Sequence, residues 1–475
     1  METATTRANR AKLSLATKIG YGAGGYGAAM FFNNFCYYAL FFFTEVVHMN
    51  VGFASMIISV GAIWDAITDP IVGHISDMRD PKKGRRRVFF ITAALPLAVL
   101  NWLAFTNPHM GDGATKAYFI VIVLGAYLCQ TLVDITYSSL GTEMTHDYAE
   151  RSSLAAWRNV FWLLSIVISS YFLAIVDFSA NTFGGGDMSK GYSYASLFCS
   201  IPIVVTLIVA YVSTKGREDY DVKVEKRKFS WKYQVLEPLK IKPFRYVALI
   251  YLFSIVAQSF SNTVGLYFFT YCMGMSEVTT ANFLVYAALI GYVSILIANA
   301  LSKRSKKLAW LVCEGAWAVS AVLSLFIMKP GTSIVMIAIF GFLYGTGLQT
   351  QYQLIWSRIP DCVELDEYRT GDRREGIFFG EAAMIQKIGA AITIAVGGAL
   401  LGAIGYTDGT TELTEFTIQG IRYIFAFGVA IPLILSFIIN HLDPMTKERH
   451  AALEEALEAR KAGEAYSEEG FKELL

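Results

Sequence analysis

The chain has 475 residues, of which 54% are hydrophobic, 14% aromatic and only 17% charged. Soluble chains carry about 25% charge, and here the apolar residues fall in blocks of about 20–28, the length that crosses a roughly 30 Å hydrocarbon core. A soluble globular protein is therefore excluded and a polytopic membrane protein indicated. The net charge of +1 leaves no overall field to recruit nucleic acid or an acidic partner.

The chain opens on METATTRANRAKLSLATK, polar and basic with no cleavage-site pattern, and this is not read as a removed signal peptide. Six apolar spans follow at about 19–44, 53–76, 88–107, 117–140, 158–177 and 192–213, and six more at about 244–272, 277–301, 308–328, 333–355, 377–403 and 418–440. All are expected to be helices, because lipid admits only helices and closed barrels, and these runs lack barrel alternation. The fold class is thus all-α, twelve transmembrane helices in two six-helix halves. The halves are 1–214 and 244–441, joined by a charged linker over 215–243 and followed by a tail over 442–475. Arg and Lys cluster after span 2 (Arg79 to Arg87), after span 8 (Lys303 to Lys307) and after span 10 (Arg358 to Arg374), and the opposite loops are nearly free of them. Both termini are therefore expected in the cytoplasm of a multi-pass protein of the cell (inner or plasma) membrane. The tail alternates charge at helical spacing and reads as a solvated helix. Six cysteines form no CxxC pair and read as buried thiols, with Cys362 placed in a basic loop.

Span 2 carries the sharpest feature, Asp65 and Asp69 inside IWDAITDP. Each carboxylate in hydrocarbon costs about 2.5–3.5 kcal/mol on insertion scales. Positions four apart on a helix share a face, with Cβ atoms roughly 6 Å apart, and two anions that close call for a counter-charge. The simplest partner is a small cation or a proton, which makes the pair a coupling site; a static ion pair with a neighbouring helix is the bland alternative. Pro70 cannot donate to the Ala66 carbonyl, and a carbonyl so freed would suit a hard cation. In span 4, Gln130, Thr131, Asp134 and Ser138 share broadly one face. Lys387 lies deep in span 11 and needs a counter-ion. Glu314 and Glu381 fall within about two turns of the ends of spans 9 and 11 by the 3.6-residue repeat and read as interfacial partners for loop arginines. No P-loop, metal-ligand cluster or nucleophile motif appears, and no nucleotide domain, so an enzyme or a nucleotide-driven pump is not indicated.

Four stretches carry a resemblance. GHISDMRDPKKGRRR resembles the loop signature of the major facilitator superfamily, in which an acid (Asp77) and a basic cluster (Arg85, Arg86, Arg87) latch helix ends. IWDAITDPIVGHISD, LVDITYSSLGTEMTHDYAERSSLAAWRN and PDCVELDEYRTGDRREGIFFGEAAMIQKIG together resemble the glycoside–pentoside–hexuronide:cation symporter family, that of melibiose permease. The resemblance runs from about Leu13 to about Asn440. It implies that Asp65 and Asp69 bind the coupling cation, Na+ or else H+ or Li+, with Thr131 as a further oxygen ligand. It implies that Asp134 and Arg158 bind sugar, that Tyr352 borders it and that Lys387 belongs to the charge network. Gln130 joins these from its place on the Asp134 face. Where melibiose permease has a Lys–Asp pair in span 1, this chain has Ala28 and Ala29, so the galactoside site is not intact. Asn33, one turn on, is a candidate replacement, or else a helix–helix hydrogen bond.

The expected function is cation-coupled symport of a sugar or glycoside, leaning to a hexuronide or glucuronide, by a monomer embedded in lipid, with no organic cofactor and no nucleic acid. A lysophospholipid transporter of the same fold and a non-transporting membrane sensor are the alternatives.

Overall fold

The computed structural model describes residues 13–79, 86–145, 148–218, 236–371, 374–406, 413–462 and 464–475. Among the described residues the regular structure is helical throughout. In chain order the helices are α1 (Leu15–Glu45), α2 (Val51–Met78), α3 (Arg87–Ala104), α4 (Asp112–Glu143), α5 (Tyr148–Ser170), α6 (Phe172–Thr182) and α7 (Met188–Ser213). Then come α8 (Lys242–Tyr267), α9 (Glu277–Arg304), α10 (Lys306–Phe326), α11 (Ile334–Trp356), α12 (Ile359–Thr370), α13 (Glu375–Ala403), α14 (Glu415–Leu442) and α15 (Lys447–Ala462). Eleven of the described segments are long and apolar enough to cross a membrane. The first helix is missing from that set because glycines and polar residues dilute its hydropathy, although its 31 residues reach about 46 Å at 1.5 Å per residue.

Helix starts follow the local chemistry. Asn50 begins α2 by accepting from the amides of Gly52 and Phe53 at 3.1 and 3.3 Å, Ser305 begins α10 through the Leu308 amide at 3.3 Å, and Thr414 begins α14 through the Thr417 amide at 3.2 Å. The chain packs as two compact units, one built on α1–α7 and the other on most of the remainder. In the first unit α1 packs on α5 and α7, α4 on α2 and α3, and α7 on α3 and α6. The glycine run GYGAGGYG permits the approach of α1. A Cβ at Gly22 would sit 2.9 Å from the Trp157 carbonyl, and one at Gly25 2.7 Å from that of Arg158. In the second unit α8 packs on α13 and α14, and α10 on α11 and α14.

Three features depart from expectation. The span at 158–177 is broken at Tyr171, whose ψ of 6° leaves the helical range and separates α5 from α6. The basic stretch after span 10 is a helix, α12, so Cys362 is buried in a helix and not placed in a loop. The helix ends on Gly371, at φ 81°, and Arg374 returns to hold both Asp366 oxygens at 2.6 and 2.8 Å. The tail is helical but docked: Leu453, Ala456, Leu457, Phe471 and Leu474 join the apolar core around Trp310, Val363 and Phe378. All six cysteines are free thiols.

Candidate functional site

Helix α2 sorts its residues by face. Ile63, Ile67, Ile71 and Ile75, one turn apart, are exposed, as side chains facing lipid would be, while Asp65, Ala66 and Thr68 are buried. Asp65 is 4% exposed, and the Thr131 hydroxyl on α4 donates to its Oδ1 at 2.6 Å. Thr68 lies 3.1 Å from Thr131, hydroxyl to hydroxyl, and donates to the Asp65 carbonyl at 3.2 Å. Asp69 is half-buried one turn on. Pro70 lies within the unbroken helix, so the buried Ala66 carbonyl lacks its helical donor. Two carboxylates, two hydroxyls and one carbonyl thus occupy one stretch of α2 and α4, an all-oxygen set of the kind a hard cation takes.

A second cluster lies further along α4. Ser138 Oγ is 3.4 Å from Asp134 Oδ1, and Arg158 Nη1 donates to Ser138 Oγ at 3.3 Å, which makes Ser138 the bridge between acid and base. Arg158 is half-buried, not splayed at a surface, because glycines at 22 and 25 let the start of α5 lie on α1. Tyr21 lies within electrostatic reach of both Arg158 and Asp134, and its ring stacks on Tyr137 at 4.7 Å. Gln130 is buried; its Nε2 donates to the Ala28 carbonyl and its Oε1 has no hydrogen-bond partner. Asn33 is buried and donates to Ser165 Oγ at 2.8 Å, tying α1 to α5. Neighbouring Asn34 accepts from Ser169 at 2.7 Å.

In the second unit Tyr352 is half-buried on α11. Its hydroxyl donates to Gln258 Oε1 at 2.6 Å and accepts from Gln386 Nε2 at 3.4 Å, while Tyr251 donates to Gln386 Oε1 at 2.9 Å. Lys387, half-buried on α13, follows Gln386 directly. Glu314 and Glu381 correct the sequence reading. Glu314 is fully buried, with hydroxyls of α8 and α11 as its neighbours and no arginine. Glu381 is 4% exposed, with Oε2 lacking a partner. The loop arginines have other acceptors, Arg358 in Asn440 and Arg374 in Asp366. Both glutamates are turned inward by the rotation of their helices.

At the end of α2, Asp77 falls on the helix, but its side chain and Arg85 lie outside the described residues. Arg86 is buried, pairs with Glu143 at 3.0 Å, donates to Ser76 Oγ at 2.5 Å and gives its backbone N–H to Glu218 at 2.7 Å. Arg87 stacks on Tyr211 at 4.2 Å. Glu143, Glu218, Gln258 and Gln386 were not singled out as site partners from the sequence. Their signal was weak: polar residues at helix ends, or single amides among apolar neighbours.

Comparison with known proteins agrees with this architecture. The family model described as MFS/sugar transport protein matches residues 20–447. The inner membrane symporter YicJ of Escherichia coli (strain K12) is 28% identical, over 90% of this chain and 91% of that protein. The isoprimeverose transporter of Lactiplantibacillus pentosus is 25% identical, over 90% and 89%. Among solved structures, a proton-dependent oligopeptide transporter superposes with a TM-score of 0.65 at 12% identity, covering 90% of this chain and 98% of that one, and shares the fold. The chain therefore belongs to the MFS/sugar transport family and is a membrane-embedded secondary transporter of the major facilitator fold.

Proposed function

We propose that the protein carries a sugar or glycoside across the membrane by symport with a monovalent cation. The observation that carries the reading is Asp65, an acid buried in a membrane-spanning helix, held by the Thr131 hydroxyl at 2.6 Å and followed one turn later by Asp69. Asp65, Asp69 and Thr131 are assigned to the cation, Na+ first, with H+ and Li+ as competitors. Hydroxyl and carboxylate oxygens match that chemistry, and the names of relatives as symporters support it.

Asp134, Arg158, Gln130 and Asn33 are assigned to the substrate in the first half, Tyr352 and Lys387 in the second. A carboxylate accepts from adjacent sugar hydroxyls, a guanidinium donates to ring or acidic oxygens, and a tyrosine face lies against a sugar's C–H face. Arg158 and Lys387 without a span-1 acid favour an anionic sugar such as a hexuronide. A relative named as an isoprimeverose transporter supports a glycoside. Asp77, Arg85 and Arg86 are assigned to the latch at the end of α2, with both termini cytoplasmic. Cation binding neutralises the acidic pair, and alternating access moves both solutes together.

The test is uptake of labelled glycosides and hexuronides into proteoliposomes under an imposed Na+, Li+ or proton gradient. One of these cations should drive accumulation in the wild type and not in Asp65→Asn/Asp69→Asn. Undiminished accumulation in the double variant rules out the assignment.

A further inference from the structure

Glu314 lies in the middle of α10 and is 0% exposed, as are Ser254 on α8 and Thr350 and Gln351 on α11, the residues around it. Its carboxyl oxygens have two polar neighbours: Ser254 Oγ at 3.5 Å from Oε2 and Thr350 Oγ1 at 3.4 Å from Oε1. No cation among the described residues reaches it. The neighbouring titratable group is the Cys313 thiol on the same helix. Helix α8 presents Ser254, and α11 presents Thr350 and Gln351. From α14 the nearby polar group is Ser436, which binds Trp310 Nε1 one turn before Glu314 at 3.1 Å. None of these is charged.

The hydrogen inventory decides the state of this acid. A hydroxyl has one proton to give. Ser254 gives its proton to Gln351 Oε1 at 2.5 Å, and the orientation of that amide is fixed because Nε2 donates to the Leu348 carbonyl at 3.2 Å. Thr350 gives its proton to the Thr346 carbonyl at 2.8 Å. Both bonds are far shorter than the contacts to Glu314. Each hydroxyl therefore turns a lone pair, not a proton, toward the carboxyl. An ionised carboxylate accepts only, so it would face two oxygen lone pairs in a dry, uncharged site, at a prohibitive desolvation cost. A neutral acid supplies the missing donor.

We propose that Glu314 is a proton-binding site: its carboxyl carries a proton and is the donor to Ser254 or Thr350. The ligand class is the proton itself, and the site is separate from the Asp65–Asp69 pair. It shares its two flanking helices with the Tyr352 network. Gln258 follows Ser254 by one turn on α8, and Tyr352 follows Gln351 directly on α11. A movement of α8 against α10 and α11 that admits water or a positive charge would discharge the site, which gives the carrier a proton-dependent step of its own.

Infrared difference spectroscopy on the purified protein in liposomes at neutral pH tests this without any substrate. Glu314→Gln keeps the shape and removes the acid. The wild-type-minus-variant spectrum should contain the carbonyl band of a protonated carboxylic acid, and Glu381→Gln should leave that band in place. Ser254→Ala and Thr350→Val each remove one of the two acceptors and leave the acid, and one of the two should shift the same band to higher frequency. A difference spectrum carrying ionised-carboxylate bands, or lacking the protonated band, overturns the proposal, and so does a band that neither Ser254→Ala nor Thr350→Val moves. These readouts do not depend on how Asp65 and Asp69 are used.

Discussion

Replacing Thr131 by valine isolates one oxygen of the candidate cation site. Valine has nearly the same shape, and Thr131 is 1% exposed in tightly packed surroundings, so the fold should tolerate the change. The loss is the hydroxyl that donates to Asp65 Oδ1 at 2.6 Å and contacts Thr68 at 3.1 Å. A hydrogen bond to a charged group contributes about 1.5–3 kcal/mol. At about 1.4 kcal/mol per tenfold, the cation concentration for half-maximal uptake should rise about 10- to 150-fold, with the rate at saturating cation changing less. The assay is glycoside uptake into proteoliposomes titrated with Na+. A double-mutant cycle gives the specificity: in an Asp65→Asn background the valine should add little, because its partner is already changed. An unaltered cation titration in Thr131→Val would refute the reasoning, and so would a valine effect of equal size in the Asp65→Asn background.

The other sites make different demands. Ser138→Ala removes the bridge between Asp134 and Arg158, two long contacts at 3.4 and 3.3 Å; a net loss of about 0.5–1.5 kcal/mol for the two together should change substrate affinity about 2- to 10-fold with the cation dependence intact, read by equilibrium binding. Arg86→Ala removes the guanidinium that pairs with Glu143 at 3.0 Å in buried surroundings, while Glu218 keeps its backbone N–H donors at positions 86 and 87; breaking a buried pair costs about 3–5 kcal/mol, and Glu143→Gln in the same background should restore part of the lost thermal stability. His450 should make tail docking pH-dependent. The hydrogen bond to Glu364 at 2.7 Å first, then Asp361 and Glu364 as charges with Glu454, hold its pKa above 6.5 against burial. Docking is therefore strongest below pH 6.5 and is lost as pH rises through the docked-state value. Amide exchange across 447–462, corrected for intrinsic rates, should accelerate with alkalinity in the wild type and show a smaller pH response in His450→Gln.

Much of this architecture was legible because lipid imposes a length and an apolar composition that the chain must display. Asp65 and Asp69 were legible for the same reason: an acid stands out against hydrocarbon. What stayed hidden depends on rotation and on long-range contact. Helix α12 is polar enough to read as a loop, yet it ends on Gly371 and buries Val363 and Leu365. The tail displays Leu453, Ala456 and Leu457 at helical spacing, a stripe that charge alternation overshadowed. Tyr171 interrupts α5 and α6 without a proline or glycine to announce it. Glu314 is the instructive error. Its distance from the helix end suggested an interfacial acid, but its direction is set by the face α10 turns to α8 and α11, which spacing from the end does not encode.

Two acids of this chain, each buried in a spanning helix, meet opposite surroundings. Asp65 receives a hydroxyl proton from Thr131, because that hydroxyl has no backbone carbonyl competing at shorter range. Glu314 receives none, because Thr350 and Ser254 have already given theirs to a carbonyl and an amide oxygen. Burial alone would treat the two acids alike; where each neighbouring hydroxyl spends its single proton separates them. The surroundings of Asp65 donate to a carboxylate, and those of Glu314 accept from an acid. The same count, made at every buried acid of a carrier, distinguishes a carboxylate awaiting an ion from an acid that already holds one.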